Sequence, residues 1–268
     1  MRTDMEKYFS GEKLWGDDFS PSQIEEWFAS EAEGYFNLTQ AGNYSYGYHA
    51  LNMRHGYSLL PKNIRFNRVL GVGSAYGDEL EPVINRSDSI TILEPSDGFQ
   101  STMIKGVPVS YEKPVPSGIA PFASNSFDLI TCFGVIHHIP NVSTVINEFY
   151  RILNPEGYLI LREPVISMGD WRKPRAGLTK NERGIPSNFL RTAILKAGFS
   201  IISERNCMFS LMSRFRYFVS GAVYNNSILT ALDHFISSLP LWSTTYHPRN
   251  ALQKLRPTAV FYVVQKPA

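Results

Sequence analysis

Apolar residues fall along this chain in two alternating patterns. Short unbroken runs, Val69-Leu70-Gly71-Val72, Ile90-Thr91-Ile92-Leu93 and Leu129-Ile130-Thr131-Cys132-Phe133, have the length of strands. They lack the polar alternation of a half-exposed sheet, as strands buried on both faces do. Between them apolar residues recur at helical spacing. Leu80, Val83 and Ile84 follow Asp78-Glu79, which suits the acidic first turn of a helix. Val142, Val145, Ile146, Phe149, Ile152 and Leu153 mark a longer helix that Asn154-Pro155-Glu156-Gly157 stops. The spacing predicts further helices around 98–105 and over 188–197, the second ended by Gly198, and further strands over 107–111, 158–161, 199–207 and 259–264. Strand alternating with helix implies an α/β fold, a mostly parallel sheet with helices on both faces.

Several stretches stand outside this alternation. In the first sixty residues Ser20-Pro21 gives an N-cap and first helical position for a helix over 23–32, and a second helix is predicted over 49–60. This region is rich in aromatics, among them Tyr8, Phe9, Trp15, Trp27, Phe28, Tyr35, Phe36, Tyr44 and Tyr48. They pack a helical layer onto the sheet or, near Tyr44, Tyr48 and His49, close over a ligand. Residues 112–120, with their prolines, form a loop. Residues 163–187 are irregular and basic, and loops of such length inside α/β domains are often functional. Residues 214–241 are apolar and aromatic with helical stretches, an insertion whose aromatics are expected in the core or in lid packing. The organisation is one domain: an N-terminal helical cap (1–60), a core sheet (65–210 and 257–268) and an inserted helical cover (211–256).

Composition narrows the classes. With 268 residues, 43% hydrophobic and 19% charged, the chain has enough apolar material for a folded core. A net charge of +2 gives no general nucleic-acid face, so no nucleic-acid partner is expected. Cys132 and Cys207 both lie in apolar runs, which points to buried, reduced thiols, and two cysteines cannot build a four-cysteine metal site. No metal ligand set is expected. The first ten residues lack an apolar signal core and no run reaches membrane-spanning length, so a cytoplasmic protein without an integral membrane segment is the default.

Candidate chemistry concentrates at 69–94. A strand enters the small-residue turn Gly73-Ser74-Ala75-Tyr76-Gly77, and the next strand ends on Glu94. This is the layout of a nucleotide-binding βαβ unit: glycines let the backbone approach a ligand, and the acid accepts hydrogen bonds from a ribose diol. His137 and His138 follow the strand ending at Phe133, and Glu163 closes the strand over 158–161. Ligands of open α/β sheets bind at such strand ends. Trp171-Arg172-Lys173-Pro174-Arg175 offers either an anion-binding cluster or a solvated loop.

The order of these pieces resembles the class I S-adenosylmethionine-dependent methyltransferases over roughly residues 69–264. VLGVGSAYG is similar to the family's first motif, and ILEPS to its second strand with the ribose-binding acid. PFASNSFDLITCFGVIHHI is similar to its fourth-strand region, and RILNPEGYLIL to the helix, turn and strand that follow. The resemblance implies a seven-stranded, doubly wound sheet whose last strand runs antiparallel between its neighbours. It implies S-adenosyl-L-methionine as cofactor, with Gly71, Gly73, Ser74, Gly77, Asp78, Glu94, Phe99, Ser117 and Phe133 as its contacts. A small-molecule acceptor, anionic or phosphorylated, would then be oriented or deprotonated by His138, Glu163 or His137. The chain departs from the pattern at Gly71 and near Pro116, where the family often has acids. These departures leave open weaker cofactor binding, substitution by Asp78, or backbone contacts around 117–119. The competing readings are a nucleotide-dependent oxidoreductase and a noncatalytic binding protein of the same fold. The loop 163–187 and the insertion 214–241 leave adjacent strands and would meet over one crevice, which predicts an enclosed acceptor pocket lined by His138, Glu163 and at least one of Arg172 or Arg175, with an aromatic wall from the N-terminal segment or the insertion.

Overall fold

The computed structural model describes residues 4–39, 45–219 and 221–268, with the backbone alone for Asp4 and for 32–39. Tyr44 and the side chains of Tyr35 and Phe36 therefore lie outside the described residues. In chain order the elements are α1 (Asp4–Phe9), α2 (Pro21–Thr39), α3 (His49–His55), β1 (Phe66–Val72), β2 (Ser87–Leu93), β3 (Met103–Ile104), β4 (Val107–Glu112) and β5 (Phe127–Phe133). They continue with α4 (Val142–Ile152), β6 (Leu153–Pro164), α5 (Ser187–Ala197), β7 (Ser200–Phe209), α6 (Ser227–Ser237), α7 (Ala251–Lys254) and β8 (Pro257–Gln265). One sheet of order β3-β4-β2-β1-β5-β6-β8-β7 organises them. β4, β2, β1, β5 and β6 run parallel, and β8 lies antiparallel between β6 and β7.

The unbroken apolar runs now have their reason, because the strands that carry them feed two cores. Leu159 and Leu161 point to one face and Ile160 to the other; Val260, Tyr262 and Val264 alternate likewise with Phe261 and Val263. One core packs under α4 and α5, through Val145, Ile146, Phe149, Leu190 and Ile194. The second lies under α3 and the turn that follows it, through Leu51, Tyr57 and Leu60. Cys132 belongs to the first core and Cys207 to the second, both as buried free thiols.

Three local predictions are corrected. The segment after Asp78 is not an α-helix but two 3-10 turns, Asp78–Leu80 and Ile84–Arg86. Pro82 stands between them, and proline both removes a donor and disfavours helix in the residue before it. The helix predicted at 98–105 is instead a loop and the strand β3, paired antiparallel with β4 in an eighth-strand hairpin. Its two-residue turn, Lys105-Gly106, has φ of +47° and +87°, the left-handed pair that a tight hairpin needs. The third correction concerns the insertion. Tyr217 and Phe218 are 74% and 82% exposed, not core. α6 buries Thr230, Asp233 and Ser237, packs Leu229 and Ile236 against the second core, and leaves Ile228, Leu232 and Phe235 outward. Asp233 anchors the helix: its carboxylate accepts hydrogen bonds from the Met208 and Phe209 amides of β7.

Gln23 caps α2 by accepting the Ser20 backbone N–H at 3.0 Å, and aromatic contacts continue from Phe19 to Trp27. No described helix is long and apolar enough to cross a membrane.

His55, 1% exposed, stacks on Phe261 and has no hydrogen-bond partner at either ring nitrogen. Burial and the charges around it push its pKa down to about 3. The folded state therefore keeps it neutral, while the unfolded chain takes up a proton below about pH 6.5. Stability is lost as pH falls from that point towards the folded value. His55→Phe is expected to raise the unfolding free energy at pH 7 by about 1–2 kcal/mol by removing the unpaired polar atoms. Its advantage over the parent should widen between pH 7 and 4, as urea titrations would read. A constant gap would mean that the imidazole is not held neutral.

Candidate functional site

The carboxyl ends of the strands open on two adjoining cavities. β1 is flanked by β2 on one side and β5 on the other, so a crevice forms where the strand order reverses. Gly73 and Glu94 line it from the ends of β1 and β2, Val115 and Ile119 from the loop after β4, Val135 and His138 after β5, and Phe28 and Glu31 from α2. The second cavity, of about 410 Å³, lies beyond the ends of β5 and β6 and is lined by Tyr48, Phe133, His137, Arg162, Met168 and Met208 among others. Gly134 and His138 line both, so the cavities meet there.

The crevice floor is built by the turn after β1. Gly73 takes φ +61°, and a Cβ on it would approach a Val135 methyl to 2.7 Å. Glu94 is 1% exposed and accepts the backbone N–H groups of Ala75 and Ser96, at 3.1 and 3.2 Å. Burial raises its pKa against those two bonds. Each oxygen keeps a further lone pair for a ligand hydroxyl. A side chain at Gly71 would collide with Ser74 Oγ at 2.4 Å, which is why no acid stands at that position. Ser74 is buried and donates at 2.6 Å to Glu79, which also accepts from Thr131 at 3.1 Å. Burial lifts the Glu79 pKa to about 7. Asp78, by contrast, is exposed and lines neither cavity; the carboxylate turned inward is its neighbour.

Other sequence-derived candidates are spread more widely. Gly77 takes φ +77° beneath β3, away from the lining. Phe99 is buried edge-on against Tyr76. The Ser117 carbonyl accepts Asn141 Nδ2 at 2.6 Å, while Phe133 faces the second cavity.

The histidines occupy contrasting settings, with ring centroids 4.1 Å apart. His137 Nδ1 lies 2.8 Å from Glu163 and Nε2 lies 3.6 Å from Glu182. Burial opposes its protonation, but those two carboxylates outweigh it and its pKa is raised. Glu163 has no exposure and accepts the backbone N–H groups of Val135, Ile136 and His137 as well as the ring. Glu182 is correspondingly held down to about 2: burial raises its pKa, but His137, His138 and the Thr179 amide more than reverse that. His138 Nδ1 lies 3.0 Å from Glu31, which also accepts Thr179 Oγ1 and the Asn181 N–H. Burial first, then the neighbouring His137, lowers the His138 pKa in spite of Glu31. His137 thus holds a proton more readily than His138. Ligand atoms of His137, His138 and Glu182 also lie within 4.8 Å of one another, which is where a metal ion can be held.

The loop 165–186 fixes this cluster from outside. Arg183, fully buried, donates to the carbonyls of Trp15, His137, Ile139 and Pro140 and lies over the Trp27 ring. The loop's other cations do not reach either cavity lining. Arg172 pairs with Asp170 at the surface, Arg175 donates to loop carbonyls, and Trp171 is buried against Phe9. The expectation that Arg172 or Arg175 lines the acceptor pocket is therefore corrected; the cation there is Arg162.

Arg162, Glu31, Glu79 and Glu182 were missed in sequence. Arg162 had a local signal, a cation ending the apolar run Tyr158–Leu161 in a strand expected to be buried. Glu31 and Glu182 had none, since their histidine partners stand far away in the chain.

A doubly wound sheet with a reversed final strand, a glycine turn after β1 and an acid at the end of β2 define the class I S-adenosylmethionine-dependent methyltransferase fold, and the chain has that fold. Residues 70–161 match the family described as a methyltransferase domain. A methyltransferase structure from Mesorhizobium loti aligns at a TM-score of 0.52 with 14% identity, covering 78% of this chain and 94% of that one. One from Archaeoglobus fulgidus aligns at 0.51 with 11% identity, covering 81% and 92%. In sequence, the chain is 27% identical over 95 residues to a ubiquinone biosynthesis O-methyltransferase of Pseudomonas entomophila. It is 26% identical over 100 residues to the Pseudomonas fluorescens protein of the same description. These alignments take in 34% and 35% of this chain and only 41% and 43% of the relatives' length.

Proposed function

We propose that the protein transfers a methyl group from S-adenosylmethionine to a small acceptor. The observation that carries the reading is the pair of cavities joined at Gly134 and His138: one shaped for the cofactor, the other for the acceptor. The crevice fits the cofactor in kind. Its buried Glu94 has lone pairs left for the two ribose hydroxyls, its Gly73 backbone lies open where a Cβ could not be placed, and the walls near Val115 and Ile119 are apolar enough for a purine. When bound, S-adenosylmethionine supplies a methyl group already activated on a sulfonium.

The chain's own residues then have three tasks. Glu94 and the turn at Gly73 orient the cofactor. α2 and the apolar crevice walls exclude water. His138 removes a proton from the acceptor: burial favours its neutral, basic form, and Glu31, 3.0 Å from Nδ1, orients the ring. Glu163 is a positioning residue that holds the 135–137 turn through backbone amides and fixes the His137 ring. The matched relatives are described as O-methyltransferases, which supports an oxygen acceptor for this chain.

Glu94→Ala is expected to weaken binding of S-adenosylhomocysteine by roughly 1.5–3 kcal/mol, the loss of charge-assisted bonds to a diol. Calorimetry on a variant that keeps its thermal transition tests this. Unchanged affinity would remove Glu94 from the site, and no binding by the parent protein would remove the methyltransferase reading.

A further inference from the structure

Three arginines are buried among the described residues, Arg162, Arg183 and Arg256. Arg183 donates to four backbone carbonyls and Arg256 to two. Arg162, 5% exposed, makes a single hydrogen bond, from Nη1 to Asn52 Oδ1 at 3.0 Å. A guanidinium has five N–H donors, and among the described residues no other acceptor meets those of Arg162. No carboxylate pairs with it either: Glu163, next along β6, is taken up by three amides and His137, and Glu79 by two hydroxyls. Its guanidinium carbon lies instead over two aromatic rings, 4.1 Å from the Tyr48 centroid and 5.5 Å from that of Phe133. A buried cation without a counter-charge is costly unless something completes it. The cavity that Arg162 lines is the one assigned above to the acceptor.

We infer that the acceptor carries a carboxylate, and that Arg162 binds it inside the second cavity. This rests on the methyltransferase reading for the word acceptor, not for the anion. A guanidinium with most of its N–H donors unused can meet a carboxylate with two parallel hydrogen bonds. A single unpaired positive charge matches a monoanion. A phosphate dianion would leave one negative charge unmatched beside Glu163, which is deeply buried in the same wall. Met168 and Met208 supply an apolar, adaptable wall for the body of the molecule. His138 stands where the two cavities join, so the reacting atom lies at the end of the acceptor away from its carboxylate.

The test uses the full chain with saturating S-adenosylhomocysteine and calorimetry on matched probes: benzoate against benzamide, 4-hydroxybenzoate against 4-hydroxybenzamide, and phenyl phosphate. The acids are expected to bind at least tenfold more tightly than their amides. Arg162→Gln should reduce that preference below twofold while its affinity for S-adenosylhomocysteine is retained, and Arg162→Lys should fall between. Equal binding of acids and amides to the parent protein, or no binding of either, overturns the inference without any variant. Tighter binding of phenyl phosphate than of benzoate overturns the choice of carboxylate. A preference that survives Arg162→Gln would show that the guanidinium only ties α3 to the sheet. If S-adenosylhomocysteine itself fails to bind, the methyltransferase reading falls, and the acid-to-amide comparison on the unliganded protein still decides the anion.

Discussion

His138→Ala is expected to lower kcat by about 10²–10⁴-fold, the range for loss of a positioned general base, with little change in affinity for S-adenosylhomocysteine. The contrast between adjacent histidines carries the expectation. His137 is held at both ring nitrogens by carboxylates that favour its protonated form, so it is poorly placed to accept a proton. His138 lines both cavities and is shifted the other way by burial and by its charged neighbour. Environments that push two such groups apart assign their roles. Because the His138 pKa lies below the ordinary histidine value, kcat/KM should be on its plateau at pH 7 and fall only on the acid side. Glu31 acts through His138, raising its pKa by a hydrogen bond. Glu31→Gln should therefore move the acid limb to lower pH, which a merely structural role would not do. Release of S-adenosylhomocysteine, followed across pH with hydroxy acids as acceptors, reads both effects. A variant lacking the His138 ring but turning over at the parent rate would assign the proton transfer elsewhere.

Arg183→Met is expected to destabilise the fold by roughly 3–5 kcal/mol, since it strips the donors from four carbonyls that are enclosed and have been arranged around a charge. Those carbonyls come from Trp15 and from the turn at 137–140, so the guanidinium joins the N-terminal region to the segment bearing both histidines. Burial lowers the pKa of Arg183 only to about 10, and it remains charged under all ordinary conditions. Arg183→Lys restores the charge but not the fork, and should recover less than half of the loss. Urea denaturation measures this directly. A loss under about 1 kcal/mol would mean that the carbonyls find other donors.

The sheet was legible in sequence because strands that feed two cores leave unbroken apolar runs, and because turns such as Asn154–Gly157 punctuate them. Pro82 was equally visible, yet the spacing of Leu80, Val83 and Ile84 outweighed it, and the helix predicted there is two short turns. α6 shows a different limit. Periodicity tells which residues share a face; it does not show that Asp233, held by two β7 amides, shares the buried side with Leu229 and Ile236 while Ile228, Leu232 and Phe235 stay outside. At the site, Glu94 and His138 stood out because strand ends are where such sheets place ligands. The Glu31, Glu182 and Arg183 contacts were not legible, because each joins residues far apart in the chain whose meeting depends on the finished fold. The missing acid at Gly71 was legible as a departure, but its cause, the space taken by Ser74, is purely three-dimensional.

The antiparallel placement of β8 also sets an order in time. β7 reaches the sheet only through β8, while the crevice draws chiefly on the ends of β1, β2 and β5 and on the loop after β4. As the chain emerges from the ribosome, the parallel half, complete by β6, can collapse and bury its faces first. The segment from β7 through α6 must wait, with its edge unpaired, until residues 257–265 arrive to be inserted between strands already made. Thr258 and Ala259, which line the second cavity, come with that last insertion. The crevice and most of the second cavity are therefore early products of synthesis, and the part of that cavity's wall formed by Thr258 and Ala259 is among the last to close.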